Sequence, residues 1–585
     1  MTWDLSKLYA SFDAPEFLND IEELKKTAEA AVDQARNMEV SVPALEEAIR
    51  VNEKAATLAT KTMSFAQLTL AADANCESAM AAYARLLPLM NRLEEATSAL
   101  SAKLGPVDDL DALIGQSDLL KAHAFLLRRL RENAKHVIDP ALEPTVLKMQ
   151  MTGGNAWEQL RDQLDGNHMV DVTIDMETRT LPLSAVRGMA NSPEADVRRA
   201  AYEAELAAYP RMEIPMAACL NGIKGEARTL AELKHYDSVL DMALDGANMD
   251  RATLDALLQA MEESLPMFRR YFRLKARLLG YEGGLKFYDL FAPVGKAKGD
   301  YTPEDARAIL VRELGAFSPR MAEMINRAFD ERWIDMFPRE GKGGGAFCSG
   351  MHPLGISYVL ANFEGSYGSV STLAHELGHA YHNECMKDLP ILMADYPMPL
   401  AETASIFNET LLAQRILENA DRDTRIALLE QQLSDAAQVI VDIMSRYLFE
   451  SEVVARRADT TLSPRELCQI MLDAQKKTYG DGLDPECLHP YMWACKSHYY
   501  STDVHFYNFP YAFGQLFAVG VYALYRKKGA AFLPDYEKLL RSAGSGMVRD
   551  VAASVGIDVS DVNFWRGSLK VFADKLEELE ELADL

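Results

Sequence analysis

His375-Glu376-Leu377-Gly378-His379 is the stretch whose residue types and spacing point most directly to chemistry. On a helix, residues four apart share a face, with β-carbons about 5–6 Å apart. Two imidazoles so placed can both reach one Zn²⁺ at about 2.0–2.1 Å. Glu376 is one step round from His375, where its carboxylate can hold a water beside the metal without ligating it. The opposite face carries Leu373, Leu377 and Ala380 and is expected to bury. Gly378 costs a helix about 1 kcal/mol relative to Ala, which implies close packing against another backbone. Chance alone places an H-E-x-x-H in roughly 2% of chains of this length and composition. The competing reading is two histidines at the edge of a core. Seven of the eleven histidines lie between His352 and His505, which weighs against it.

Catalytic zinc needs a third protein ligand and one open position. Glu384, Asp395, Glu402 and Glu409 are the downstream candidates. Glu384 points away from His379 if the helix continues, and Asp395 lies in a proline-flanked loop. Glu402 follows Pro397 and Pro399 in a second helical stretch, Ala401 to Glu409, with room to turn back antiparallel; it is the chosen ligand. Glu409 is two turns further along the same face and can accept an N–H from a ligand histidine. A surface carboxylate is its competing reading. Two histidines and one carboxylate leave the site at formal charge +1. The metal's water then has a pKa lowered toward about 7. Glu376 can take that proton during attack on a carbonyl carbon and pass it to the leaving nitrogen. Zn²⁺ suits the ligand set best, and Co²⁺ or Mn²⁺ also fit. The oxyanion wants further donors. The segment from His498 to Tyr511, which includes His505 and Tyr507, is dense in them. Composition alone does not separate that role from an aromatic-rich core loop.

The elements that must position these groups are mostly helical. From Ser64 to Leu104 the chain is rich in Ala, Leu, Met and Glu, and Leu86, Leu89, Met90 and Leu93 recur at helical steps. His123 to Lys135 reads as a short basic helix. Thr152 to Asn155 and Asp165 to Asn167 read as turns, and Val170–Asp175 with Thr178–Pro182 as a small strand pair. Ser192 reads as the cap of a helix with Pro193 in its first turn, the helical pattern continuing to about Leu279. Gly280 to Gly284 breaks it, and a further block runs from Thr302 to Phe329. Gly341 to Gly345 must be a loop, either a mobile flap or an ordinary turn, and lacks the spacing of a phosphate-binding loop. Ile356 to Phe363 is β-branched and aromatic, hence a strand. The Glu- and Leu-rich end, Leu576 to Leu585, reads as a solvated helix terminus.

The 585 residues carry 61 Lys and Arg against 87 Asp and Glu, a net charge of −26. Such a chain repels nucleic-acid phosphates and anionic membranes. No apolar run is long enough to span a bilayer, and the start has no basic-then-apolar leader. Seven scattered cysteines without a C-x-x-C pair fit reduced thiols in a cytoplasm.

His375-Glu-Leu-Gly-His379 followed by Ala401-Glu402-Thr-Ala-Ser-Ile-Phe-Asn-Glu409 resembles the oligoendopeptidase F branch of the thimet-oligopeptidase-like zinc metallopeptidases. The resemblance extends to Trp3–Tyr9, Gly344–Cys348, Leu360–Phe363 and His505-Phe-Tyr-x-x-Pro-Tyr511, so it touches nearly the whole chain. It implies a mainly α, two-lobed molecule with a deep channel and a small sheet beside the zinc helix. It implies a helical region over 1–114, a small N-terminal domain over 115–185 and a catalytic domain over 186–585. Carried over by position, His375, His379 and Glu402 hold one Zn²⁺, Glu376 is the general base, and His505 and Tyr511 are oxyanion donors. Tyr507, His498, Phe363 and Gly345 then face substrate, the strand ending at Phe363 by edge pairing. The chain departs from many relatives at Gly368-Ser-Val370, where acidic residues are common, and at Phe513, where Tyr is common. The implied activity is cytoplasmic cleavage of internal bonds in short peptides. A dipeptidyl carboxypeptidase with the same chemistry, or a non-catalytic helical peptide-binding protein, are the rival functions; the oligomeric state is open.

Overall fold

The computed structural model describes residues 1–139, 141–295 and 299–583. It is 71% helix and 4% strand, so most of its interior is built by helices. Among the described residues, no helix is long and apolar enough to cross a membrane. The chain divides into two compact units. One comprises Met1–Val137, Lys298–Ile416 and Leu524–Gly556; the other comprises Ile138–Ala297, Leu417–Ala523 and Ile557–Leu585.

The first unit opens on three long helices, Pro15–Asn37, Val42–Ala72 and Glu77–Leu104. The periodic run from Ser64 to Leu104 spans the end of the second of these helices and the whole of the third. The break is made by Asp73, whose side chain accepts the Asn75 N–H at 3.0 Å, while the Ala74 N–H is drawn to the Gly341 carbonyl at 2.8 Å. Leu86 is buried, and Leu89, Met90 and Leu93 are half-buried. The basic segment forms the helix Ala124–Asn133 with one further turn, Ala134–His136.

The unit's three-stranded sheet has Ile356–Leu360 in the middle, parallel to Ile334–Asp335 and antiparallel to Phe347–Met351. All five residues of the middle strand are buried, and all but Ser357, whose hydroxyl accepts a hydrogen bond from Asn383, are apolar or aromatic. The strand stops at Leu360, but backbone pairing runs on: the Ala361 and Phe363 N–H groups donate to Asp335 and Met336 carbonyls, each at 2.8 Å. The glycine loop is not a free flap. Lys342, with no exposed side-chain surface, pairs with Asp335 at 2.7 Å. It also donates to the Phe337 carbonyl at 2.9 Å and the Ala361 carbonyl at 2.5 Å. Asn362 Nδ2 donates to the carbonyls of Gly343 and Gly345 at 3.0 and 2.8 Å.

In the second unit, Met169–Ile174 pairs with Glu177–Pro182 across Asp175 and Met176, both at positive φ, as a two-residue hairpin requires. Val170 and Val172 enter a core with Tyr209, Phe449 and Trp493. Two turns expected from glycines are mostly helix. Glu143–Thr152 and Gly154–Gly166 meet at Gly153, and Asn155 lies inside the second. Ser192 is not a helix cap; its hydroxyl accepts the Glu194 N–H at 3.2 Å in a local turn, and the helix begins at Ala195. The run to Leu279 is four helices, Ala195–Ala208, Glu213–Leu233, Val239–Gly246 and Arg251–Leu278. His235 and Asn248, both at positive φ, sit in two of the breaks. The last helix is Val562–Leu582; residues 584 and 585 of the expected terminus lie outside the described residues.

Candidate metal centre

The H-E-x-x-H motif lies inside the helix Tyr367–Met386, capped by Ser366, whose hydroxyl accepts the Ser369 N–H at 3.1 Å. Its inner face is set by burial of Leu373, Leu377 and Ala380, as the pattern demands. Asn383 Nδ2 donates to Ser357 Oγ at 3.1 Å and ties the helix to the middle strand. Gly378 is where a second helix, Thr403–Leu417, crosses. A β-carbon there would stand 2.5 Å from Ser405 Cα and 2.6 Å from the Ala404 carbonyl oxygen. Asn408 Nδ2 donates to the Ala374 carbonyl across the same crossing, at 3.2 Å. The expected result for Gly378→Ala is a loss of about 1–3 kcal/mol from overpacking. It should be read as a lower thermal midpoint together with weaker metal retention, because the two helices would be forced apart. A wild-type midpoint would show that the crossing has slack.

That crossing brings three ligand-type side chains of the first unit together. His375 Nε2 and His379 Nε2 lie 3.3 and 3.5 Å from the same oxygen, Glu402 Oε2. The three ligand atoms all fall within 4.8 Å of one another. Two donors each about 2.0–2.1 Å from a tetrahedral ion are about 3.4 Å apart, so the donor set and its spacing fit a divalent cation. Glu402 occupies the joint between the short helix Met398–Ala401 and the helix Thr403–Leu417, and Ser405 Oγ donates to its Oε2 at 2.6 Å. Glu409 Oε1 lies 3.5 Å from His375 Nδ1, on the far side of that ring. The His379 ring meets the Ala401 backbone.

Electrostatics follow from this crowding. Burial disfavours charge on His375, but the Glu402 and Glu409 carboxylates outweigh it and raise its pKa to about 10. His379 is driven down to about 4, chiefly by burial, with Glu402 opposing and His375 adding to the fall. Burial opposes the Glu402 carboxylate, yet its histidine partners hold it at about 2. Glu376 is 6% exposed and its pKa rises to about 7, first from burial, with His375 lowering and the other two carboxylates raising it.

The rejected candidates have other partners. Glu384 contacts Lys387 at 2.6 Å and Arg320 at 3.4 Å. The Asp395 carboxylate accepts the Tyr396 N–H at 2.8 Å. His382, one turn beyond His379, stacks on Tyr396 at 4.1 Å and meets the Leu540 carbonyl at 3.0 Å. Ser405 was not singled out from sequence, although its place three residues after Glu402 on a helix was a usable signal.

Edge pairing by the strand ending at Phe363 is corrected by the sheet order. That strand is central, both its flanks are occupied, and the Phe363 N–H is already used; the outer strands are Phe347–Met351 and Ile334–Asp335. Gly345 is exposed at φ +72 beside the first of these. Gly368-Ser-Val370 forms the first turn of the motif helix.

The His/Tyr segment belongs to the second unit. His498, Tyr507 and Tyr511 form one aromatic cluster, with ring centroids 5.5 Å apart for His498–Tyr507 and 5.2 Å for Tyr507–Tyr511. Tyr511 lies in the first turn of the helix Phe509–Lys528. His505 is buried, and burial followed by the charge of Lys224 pushes its pKa well below the ordinary imidazole value. Phe513 is fully buried against Phe517 and Trp565, in the core of the unit.

The sequence profile of peptidase family M3 matches residues 188–570, which contain all of these groups. The chain belongs to this family. A profile described as oligopeptidase F matches residues 106–167 and places this M3 peptidase in the oligoendopeptidase F branch. It is 25% identical over 488 residues to oligopeptidase PepF of Bacillus subtilis, covering 81% of this chain and 71% of the relative. Its fold matches a solved chain from Chlamydophila abortus with a TM-score of 0.84 at 22% identity, over 99% of this chain and 98% of that one. It also matches oligoendopeptidase-F from Enterococcus faecium with a TM-score of 0.71 at 20% identity, over 97% and 99%. As a member of family M3 the protein is a metalloendopeptidase, a hydrolase of peptide bonds.

Proposed function

We propose that this M3 peptidase is a zinc-dependent oligoendopeptidase that cleaves internal bonds of short, unstructured peptides. The observation that carries the reading is the meeting of His375 Nε2, His379 Nε2 and Glu402 Oε2 within 4.8 Å, with a buried Glu376 carboxylate that feels the charges of His375 and Glu402. His375, His379 and Glu402 would hold one zinc ion. When bound there, zinc supplies Lewis acidity to the scissile carbonyl and acidifies the attacking water. Glu376 takes the proton of that water on a carboxylate oxygen and delivers it to the leaving nitrogen. Glu409 orients the His375 ring through Nδ1. His505 and Tyr511 donate hydrogen bonds to the developing oxyanion, and Tyr507, His498 and Gly345 contact the peptide. The sequential regions 1–114, 115–185 and 186–585 are proposed as modules of the chain, and the cytoplasm as its place of action.

The test is an internally quenched peptide with an amidated C-terminus, incubated with the zinc-loaded enzyme. We expect cleavage at an internal bond, loss of activity with a chelator and recovery on adding Zn²⁺. Cleavage only of peptides with a free C-terminal carboxylate would replace the endopeptidase by a dipeptidyl carboxypeptidase. A purified protein with no transition metal and no affinity for one would overturn the metal assignment.

A further inference from the structure

In the second unit a lysine and a glutamate are buried together. The side chains of Lys224 and Glu450 are 0% and 1% exposed, and Nζ stands 2.6 Å from Oε1. They come from helices far apart in sequence, Glu213–Leu233 and Ile443–Arg456. A buried ion pair is weak evidence of stabilisation, because desolvation offsets the attraction. What distinguishes this pair is where its remaining hydrogen bonds go. Lys224 Nζ lies 3.5 Å from His505 Nδ1. Glu450 Oε1 accepts the Phe506 N–H at 3.0 Å, and Oε2 accepts Asn508 Nδ2 at 2.9 Å. Asn508 Oδ1 in turn accepts the Phe509 N–H at 2.7 Å. Between them Phe506 is held at φ +54, a left-handed conformation that bulky residues rarely adopt. Such strain persists only where the surroundings over-determine it.

An ammonium group has donors and no acceptor. The ring nitrogen facing it must therefore offer a lone pair, which places the ring's proton on the other nitrogen. We propose that the Lys224–Glu450 pair is a positioning device: it fixes His505 as the Nε2–H tautomer and clamps the Phe506–Phe509 backbone, so that His505 presents a hydrogen-bond donor to the carbonyl oxygen of the peptide. The inference rests on the oxyanion role given to His505 above and adds what enforces that role. The opposite tautomer would aim a lone pair at the oxyanion and repel it. Burial beside the Lys224 charge also disfavours a second proton on the ring.

The direct test uses the full-length enzyme with ¹⁵N-labelled histidine at neutral pH. The His505 ring signals are those missing from His505→Phe. Wild type should show a bare Nδ1 and a protonated Nε2. The double variant Lys224→Met/Glu450→Gln removes both charges together and leaves the core without an unpaired ion. It should show mixed tautomers, with kcat down about tenfold or more, KM within about threefold and zinc content unchanged. Wild-type ring shifts with the proton on Nδ1 overturn the positioning device whatever the variants do. A double variant with wild-type shifts and wild-type kcat overturns it as well. His505→Phe with undiminished kcat overturns the donor role itself, a failure distinct from the first two.

Discussion

Glu376→Gln is expected to lower kcat by about 10²–10⁴, the range lost with a general acid–base group, while zinc content stays at one ion per chain. The amide has the size and shape of the carboxylate, so peptide binding and KM should move little. It cannot accept a proton from water, so the attack loses its base and the leaving nitrogen loses its acid. Metal retention is expected because Glu376 is not among the three converging ligand atoms. Nor should the fold suffer. Burial already disfavours the ionised form at this position, and the Glu402 and Glu409 carboxylates add repulsion. A neutral amide relieves both, so the thermal midpoint of the metal-free variant should match or exceed that of wild type. The measurements are steady-state kinetics on the quenched peptide, elemental analysis and a thermal melt on one preparation. An undiminished kcat would remove Glu376 from the reaction; a fall accompanied by zinc loss would move it from base to metal support.

Much of this centre is legible in the chain because it is written at helical spacing. Histidines four apart must share a face, and Glu402 and Glu409, seven apart, do so again. Gly378 announced a close helix crossing, and backbone atoms of Ser405 and Ala404 crowd the place a β-carbon would take. What the sequence hid was decided over long range. Nothing local to Ile356–Leu360 says that strands will flank it on both sides, yet that arrangement denies edge pairing to the strand. The break at Asp73 depends on a carbonyl at Gly341, far along the chain. Ser192 has the residue type of a cap, but it stands three residues before the helix begins and its hydroxyl is used in a turn to Glu194. Lys224 and Glu450 carry no motif at all; their pairing exists only once two distant helices pack.

The metal ligands themselves are best ranked by removing carboxylates one at a time. Glu402→Gln is expected to weaken zinc binding by more than about 100-fold, beyond the 10–100-fold range that follows loss of a group supporting a ligand. Its Oε2 faces both Nε2 atoms, at 3.3 and 3.5 Å, and completes the three-ligand group found among the described residues. The amide oxygen is a poorer donor and leaves the site with one more positive charge. Glu409→Gln should fall inside the 10–100-fold range, because it meets the ligand set through His375 Nδ1, at 3.5 Å, and not through a ligand atom. Glu384→Gln should leave affinity unchanged, since its carboxylate is engaged by Lys387 and Arg320. Competition against a chromogenic chelator gives all three values on a common scale. The order Glu402, Glu409, Glu384 is the physical content of the site: direct ligation, orientation of a ligand ring, and a neighbour on the same helix with no part in it. If Glu402→Gln held zinc as tightly as Glu384→Gln, the third ligand would have to be sought elsewhere, and the crossing of the two helices would lose its role in building the centre.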